Sequence, residues 1–305
     1  MLALLPLLAT AALVADAPNN CDNCAAMNTA REPFQVHGNT WFVGTQGLAS
    51  ILITSDRGHI LIDGGLTQSA PLIAANIEKL GFALSDVKLI LNSHTHSDHA
   101  GGIAALQRVS RGRVAASPAA KRALEGGGAT EDDPQFAFGA EHNSFPAVQG
   151  VRAVKDGEHL RVGKLQITAH FTPGHTPGGT TWTWISCERG DCASIVYADS
   201  LSSISAPGFR FTGDATHPAR VEQFEKSIAR IAGLDCGILL APHPELVRLD
   251  AKLAARAKDP TQPAFRNPNE CKTYADGART RLAKRVAEER AAEQATSSPS
   301  VAPRP

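Results

Sequence analysis

Between residues 34 and 92 the apolar positions come in short runs cut by Gly, Asp and Asn. Gln35–Gly44, Ser50–Thr54 and His59–Asp63 read as strands, and Val87–Asn92 as a denser one that empties into a polar, His-rich segment. The spacing changes in between. Leu72, Ile73, Ile77 and Leu80 recur at helical intervals, so Ser69–Leu80 is predicted as a helix stopped at Gly81. Ile103–Val109 and Pro118–Leu124 also read as helices, and Arg113–Ala116 as a strand. The second half repeats the style, with strands at Leu165–Phe171, Thr180–Ser186 and Ser194–Tyr197 and a helix at about Pro218–Ala232. An apolar strand, Gly237–Leu240, then leads into Ala241-Pro242-His243-Pro244. From about Tyr274 an Ala-, Arg- and Glu-rich amphipathic helix closes the pattern. Two halves that each run strands then helix imply an α/β fold of two sheets packed face to face with helices outside.

The ends of the chain depart from this pattern. Leu2–Val14 is too short to span a bilayer but suits the apolar core of a signal peptide, and Ala15-Asp16-Ala17 supplies a small-x-small cleavage pattern. The expected division is therefore a signal peptide over 1–17, a lead over 18–33, a single domain over 34–294 and a disordered Ser/Pro-rich tail over 295–305. No other stretch is long and apolar enough to cross a membrane. With 30 basic and 30 acidic residues the formal charge is zero, which removes any broad electrostatic reason to bind nucleic acid.

Six cysteines point to an oxidising compartment, here expected to be the periplasm. Cys187 and Cys192 flank a short polar loop between two strand-like runs, which suits a hairpin staple. A bridge between Cys236 and Cys271 would tie the last helix to the core. Cys21 and Cys24 form a Cys-x-x-Cys in a lead without regular pattern. No second ligand pair is spaced to make it a zinc site, so it reads as a local disulfide or two free thiols.

The chemistry is concentrated after Val87–Asn92. His94, His96, Asp98 and His99 fall within six residues, followed by Gly101-Gly102. On an α-helix His94 and His96 would diverge, because only i,i+3 and i,i+4 neighbours share a face. A tight loop at a strand end lets all four converge. Imidazole and carboxylate without cysteine suits an open zinc site rather than a closed structural one. His175, in Thr172-Pro173-Gly174-His175-Thr176-Pro177-Gly178-Gly179, and His243 each follow an apolar strand in the same way. Five histidines and one aspartate make three protein ligands for each of two metals, with positions left for water and substrate.

The motif His-x-His-x-Asp-His resembles the signature of the metallo-β-lactamase superfamily, whose fold is an αββα sandwich. Trp182-Thr183-Trp184, Tyr197-Ala198-Asp199-Ser200-Leu201-Ser202 and Leu240-Ala241-Pro242-His243-Pro244 resemble the third subclass of the class B β-lactamases, and the likeness covers about residues 34–290. The resemblance implies two zinc ions, one on His94, His96 and His175 and one on Asp98, His99 and His243. It implies hydrolysis of the β-lactam amide bond in penicillins, cephalosporins and carbapenems by a metal-bound hydroxide that Asp98 orients, and hence antibiotic resistance. Ser200 and Ser202 match serines that contact the substrate carboxylate in some relatives. The pairs Cys236–Cys271 and Cys187–Cys192 match family bridges. Relatives with a further bridge pair an N-terminal cysteine with a position that is Gln46 here. A monomer acting on a small molecule, without membrane insertion after processing, is the family's default.

The chief alternative is a thioesterase or lactonase of the hydroxyacylglutathione hydrolase type on the same scaffold. In those relatives an aspartate from a later strand bridges both metals, and Asp199 is the candidate for it. Ser200 is not expected to be a nucleophile, since neither Gly-x-Ser-x-Gly nor Ser-x-x-Lys surrounds it. Preference among β-lactams would rest on the loops Gly126–Ser144 and Ser203–Asp214.

Overall fold

A computed structural model describes Leu13 and residues 16–297. The expected leader, 1–17, lies outside the described residues except for Leu13, Asp16 and Ala17. Among the described residues twelve strands form two mixed sheets. The first holds, in spatial as in chain order, β1 (Phe34–His37), β2 (Thr40–Phe42), β3 (Ile51–Ile53), β4 (His59–Ile62), β5 (Val87–Leu91), β6 (Arg113–Ala116) and β7 (Arg152–Ala153). The second holds β8 (His159–Val162), β9 (Leu165–Phe171), β10 (Thr180–Glu188), β11 (Asp191–Tyr197) and β12 (Ile238–Leu240), in the order β12-β11-β10-β9-β8. The helices are α1 (Cys24–Met27), α2 (Ala70–Lys79), α3 (Ser97–Ala100), α4 (Ile103–Ser110), α5 (Pro118–Gly126), α6 (Ala140–Asn143), α7 (Val221–Ala232), α8 (Leu249–Lys258) and α9 (Glu270–Ser297).

The alternation of buried side chains explains the layering. Ile51, Ile53, Ile60, Ile62, Leu89 and Leu91 point into one core with Ile167, Trp182, Trp184, Ile195 and Tyr197 of the second sheet. Their neighbours Leu52, Leu61, Ile90 and Val114 point the other way, onto α2, α4 and α5. Strands covered on both faces read as unbroken apolar runs, which is why β3–β6 are so plain in the sequence. On the far side α7 and α9 pack together, and Phe224, Ile228 and Leu282 join the core. This is the expected αββα sandwich. The two tryptophans also stitch the sheets: Trp182 Nε1 donates to Asn92 O at 3.0 Å and Trp184 Nε1 to Thr40 Oγ1 at 2.9 Å.

Several elements differ from the sequence reading. The run 35–44 is two strands, because Gly38 takes φ +52° and its Cα face lies against the Cys187 carbonyl, where no side chain fits. Strand β8, strand β7 and helix α8 escaped the pattern, being short or rich in Lys, Arg and Ala. The final helix starts at Glu270 rather than Tyr274 and runs to Ser297, beyond the expected start of a disordered tail at 295. Ala-Ala-Glu-Gln-Ala keeps good helix formers close to that point; residues 298–305 lie outside the described ones. The lead is not patternless either, for it contains α1. All three cysteine pairs are bridged: Cys21–Cys24, Cys187–Cys192 and Cys236–Cys271. Among the described residues no helix is long and apolar enough to cross a membrane.

Candidate metal centre

Strands β5, β9, β11 and β12 all deliver polar segments to one end of the sandwich. β5 ends at Leu91 and the chain passes through Asn92-Ser93 to His94 and His96. It then turns into α3, so Asp98 and His99 sit on a helical turn rather than on the loop expected. Gly101 and Gly102 let that turn press onto its neighbours, since a Cβ at Gly102 would stand 2.2 Å from the Gly64 carbonyl oxygen. β9 leads to His175, and β12 to His243.

All six expected ligands meet. One ligand atom from each of His94, His96 and His175 lies within 4.8 Å of the others, and the same holds for His94, Asp98 and His99. His243 closes the second group. Its Nε2 is 3.2 Å from His99 Nε2 and 3.5 Å from Asp98 Oδ2, while His99 Nε2 and Asp98 Oδ2 are 3.2 Å apart. Tetrahedral zinc with bonds near 2.0–2.1 Å separates its donors by about 3.3 Å. The spacing fits.

Partners outside the cluster orient each ring. Asp199 Oδ1 is 2.9 Å from His94 Nδ1, and the other nitrogen, Nε2, is buried with no hydrogen-bond partner. Asp133 Oδ1 is 3.2 Å from His96 Nε2, leaving Nδ1 for a metal. His175 Nδ1 faces Ser202 through both its carbonyl oxygen, at 2.9 Å, and its hydroxyl, at 3.0 Å. The backbone before His243 is held by the Ala49 amide, which donates to the Pro242 carbonyl at 2.8 Å. Such outer partners fix tautomer and ring angle in metal sites. Behind them, Asp63 (φ +63°) accepts from Asn92, the Ser93 amide, the Ser93 hydroxyl and Tyr197, so that it anchors the start of the ligand loop.

The electrostatics favour a cation. Burial, helped by the neighbouring imidazoles, holds His94 well below its usual pKa, His175 down at about 3 and His243 at about 4. These rings are neutral at pH 7, with lone pairs available. Burial opposes the ionisation of Asp98, but His99 beside it prevails and keeps the carboxyl below its ordinary range. For His99 burial works downward and Asp98 overcomes it, with a net rise. Burial, helped by the charge of Asp63 and opposed by the Ser200 backbone, pushes Asp199 well up. An orphaned His94 Nε2, five imidazoles, one carboxylate and no thiolate fit a borderline divalent ion such as zinc.

Three placements refine the sequence reading. Asp199 does not stand between the two groups: it lies behind His94, on the Nδ1 side, while a metal would take Nε2. Ser202 is engaged with His175. Ser200 is buried, with its hydroxyl unpartnered. Asp133 was missed, since nothing local in Glu131-Asp132-Asp133-Pro134 signals a contact with a histidine 37 residues earlier.

The family model described as Metallo-beta-lactamase superfamily matches residues 44–182. The structure of Rm3 metallo-beta-lactamase gives a TM-score of 0.85 at 46% identity, covering 89% of this chain and 99% of that one. MEM-A1, a subclass B3 metallo-beta-lactamase from a soil metagenome library, gives 0.83 at 46% identity, over 87% and 99%. A hydroxyacylglutathione hydrolase of Rhodopseudomonas palustris (strain BisB5) is 32% identical over 183 residues, which is 57% of this chain and 58% of that protein. The chain thus spans less than two thirds of the length of the curated relatives it matches.

Proposed function

The chain belongs to the metallo-β-lactamase superfamily, and on that premise we propose that it hydrolyses the β-lactam amide bond with two zinc ions. The observation that carries this reading is the double cluster without cysteine, His94/His96/His175 beside Asp98/His99/His243. When bound, zinc supplies a water acidic enough to attack at neutral pH and a Lewis acid for the carbonyl oxygen. The chain's own residues do the rest.

Asp98 and His243 are the ligands solvent still reaches, with side chains 20% and 26% exposed, so substrate enters over them. From there Asp98 can hold the attacking water by an oxygen not engaged with His99. With His175 on metal through Nε2, its Nδ1 proton is donated to Ser202, which leaves the Ser202 hydroxyl proton free for a substrate carboxylate. Ser200, inside the same turn, is the second candidate for that carboxylate. The three bridges support export to an oxidising compartment, for which we take the periplasm. A monomer conferring antibiotic resistance completes the reading.

The thioesterase alternative needs a carboxylate between the metals, and the position of Asp199 behind His94 speaks against it. Initial rates with a carbapenem, a cephalosporin and a hydroxyacyl thioester, each with and without chelator, test both. Chelator-sensitive β-lactam turnover is expected. Thioester turnover with inert β-lactams would overturn the substrate, and chelator-resistant turnover the metal mechanism.

A further inference from the structure

The bridged Cys-x-x-Cys of the lead has no place in the chemistry above, yet it sits against the back of one ligand. Cys21–Cys24 staples the entry to α1, and Cys24 is buried against Leu48 and Leu66. The end of this turn is bonded to the segment 45–47. The Met27 carbonyl accepts the Gly47 amide at 3.0 Å and the Thr45 hydroxyl at 2.6 Å, and the Thr29 carbonyl accepts the Gln46 amide at 2.9 Å. Contact is close enough to require glycine, because a Cβ at Gly47 would lie 2.7 Å from Met27 Cα. From that segment one link reaches the metal centre. The Ala49 amide donates at 2.8 Å to the carbonyl of Pro242, directly before His243, whose Nε2 faces His99.

The segment 45–49 is thus held on one side by the stapled turn and on the other holds the backbone just before His243. The first-metal ligands have other supports: Asp199 for His94, Asp133 for His96 and Ser202 for His175. We propose that the Cys21–Cys24 turn is a positioning element for the second metal, acting on His243 through the loop 45–49 and Pro242 and leaving the first metal untouched. It rests on the assignment of Asp98, His99 and His243 to one ion. A bond between turn and loop carried by backbone groups also explains how the loop is clasped although position 46 is a glutamine.

The test is zinc release from the loaded full-length protein, dialysed against graded dipicolinate, with His99→Ala as a marker for protein holding the first metal only. Wild type is expected to lose zinc in two steps. In Cys21→Ser/Cys24→Ser the step absent from His99→Ala should move by roughly tenfold in affinity, the low end for outer-partner changes, while the other step stays. Amide exchange in peptides covering 45–49 and 241–247 should speed up in parallel. Thr45→Val, which removes one hydroxyl bond and keeps the bridge, should shift the same step in the same direction, and it serves if the double variant does not fold. Equal movement of both steps would mean general loosening and would overturn the proposal, as would faster exchange without any change in zinc affinity. A wild-type protein that releases a single zinc would instead overturn the two-metal reading, and this inference with it.

Discussion

Asp199 Oδ1 and His94 Nδ1 stand 2.9 Å apart, and neither side chain reaches solvent. The contact separates two readings of the same aspartate. A carboxylate shared by two metals must face the cluster, whereas one that stands beside the outer nitrogen of an imidazole lies on the far side of that ring. Gly179 makes room for it, since a Cβ there would fall 2.2 Å from Asp199 Oδ2.

Asp199→Asn keeps the shape and takes the carboxyl group away from His94 Nδ1. We expect zinc affinity to fall by about 10–100-fold at the first site only, read by chelator competition. Equal loss of both metals would place Asp199 between them and reopen the thioesterase reading.

His99→Ala should deplete the second zinc and leave the first. His99 Nε2 lies within 3.2 Å of both His243 Nε2 and Asp98 Oδ2, so its removal opens one group. His94 borders both groups, with its ring centroid 4.3 Å from that of His99, which makes the outcome informative. Metal analysis after dialysis decides it, and loss of the first zinc with retention of the second would show the ligands wrongly assigned.

How much of this was legible in advance follows from where the information lies. β5, β9 and β12 are apolar runs ending in His-rich or Pro/Gly-rich segments, so the ligands could be found because all six follow the ends of these three strands. The partners that aim those ligands could not. Asp133 reaches His96 across 37 residues, and the Ala49 amide reaches Pro242, beside His243, across nearly 200; neither leaves a local period or motif. The same limit hid α1, whose order comes from contact with Leu48 and Leu66 rather than from its own four residues. Asp199 was visible as a residue, but its side of the ring is a tertiary fact.

Glu289 should make stability depend on pH. From α9 it accepts the Phe211 amide at 3.0 Å, the Thr212 amide at 2.9 Å and Arg285 Nε at 2.6 Å, clasping the loop that continues from Ser202. Burial works against its charge, but these donors outweigh it and hold the carboxyl below the usual range. A pKa lower in the folded state means that the stabilisation is present above the unfolded value, about 4.3, and is lost as pH falls through the folded one. In urea titrations the deficit of Glu289→Gln relative to wild type should therefore be larger at pH 6 than at pH 3. A deficit that does not change with pH would assign the clasp to shape alone.

Lys252 and Glu270 form the other buried ionic contact that positions this end of the molecule. Their side chains are about nine-tenths covered, with Nζ 2.7 Å from Oε2, and Nζ also donates to Leu239 O at 3.3 Å on the strand before His243. The pair joins α8 to the start of α9, next to the Cys236–Cys271 bridge. Removing one charge strands the other in a dry site, so Lys252→Met should cost about 3–5 kcal/mol. Removing both need not, because the desolvation of two ions disappears along with their attraction. Lys252→Met/Glu270→Leu should then recover most of the loss in a urea double-mutant cycle. If the single variant costs under about 1 kcal/mol, as exposed pairs do, water reaches the pair and the contact is not what ties α8 to the start of α9.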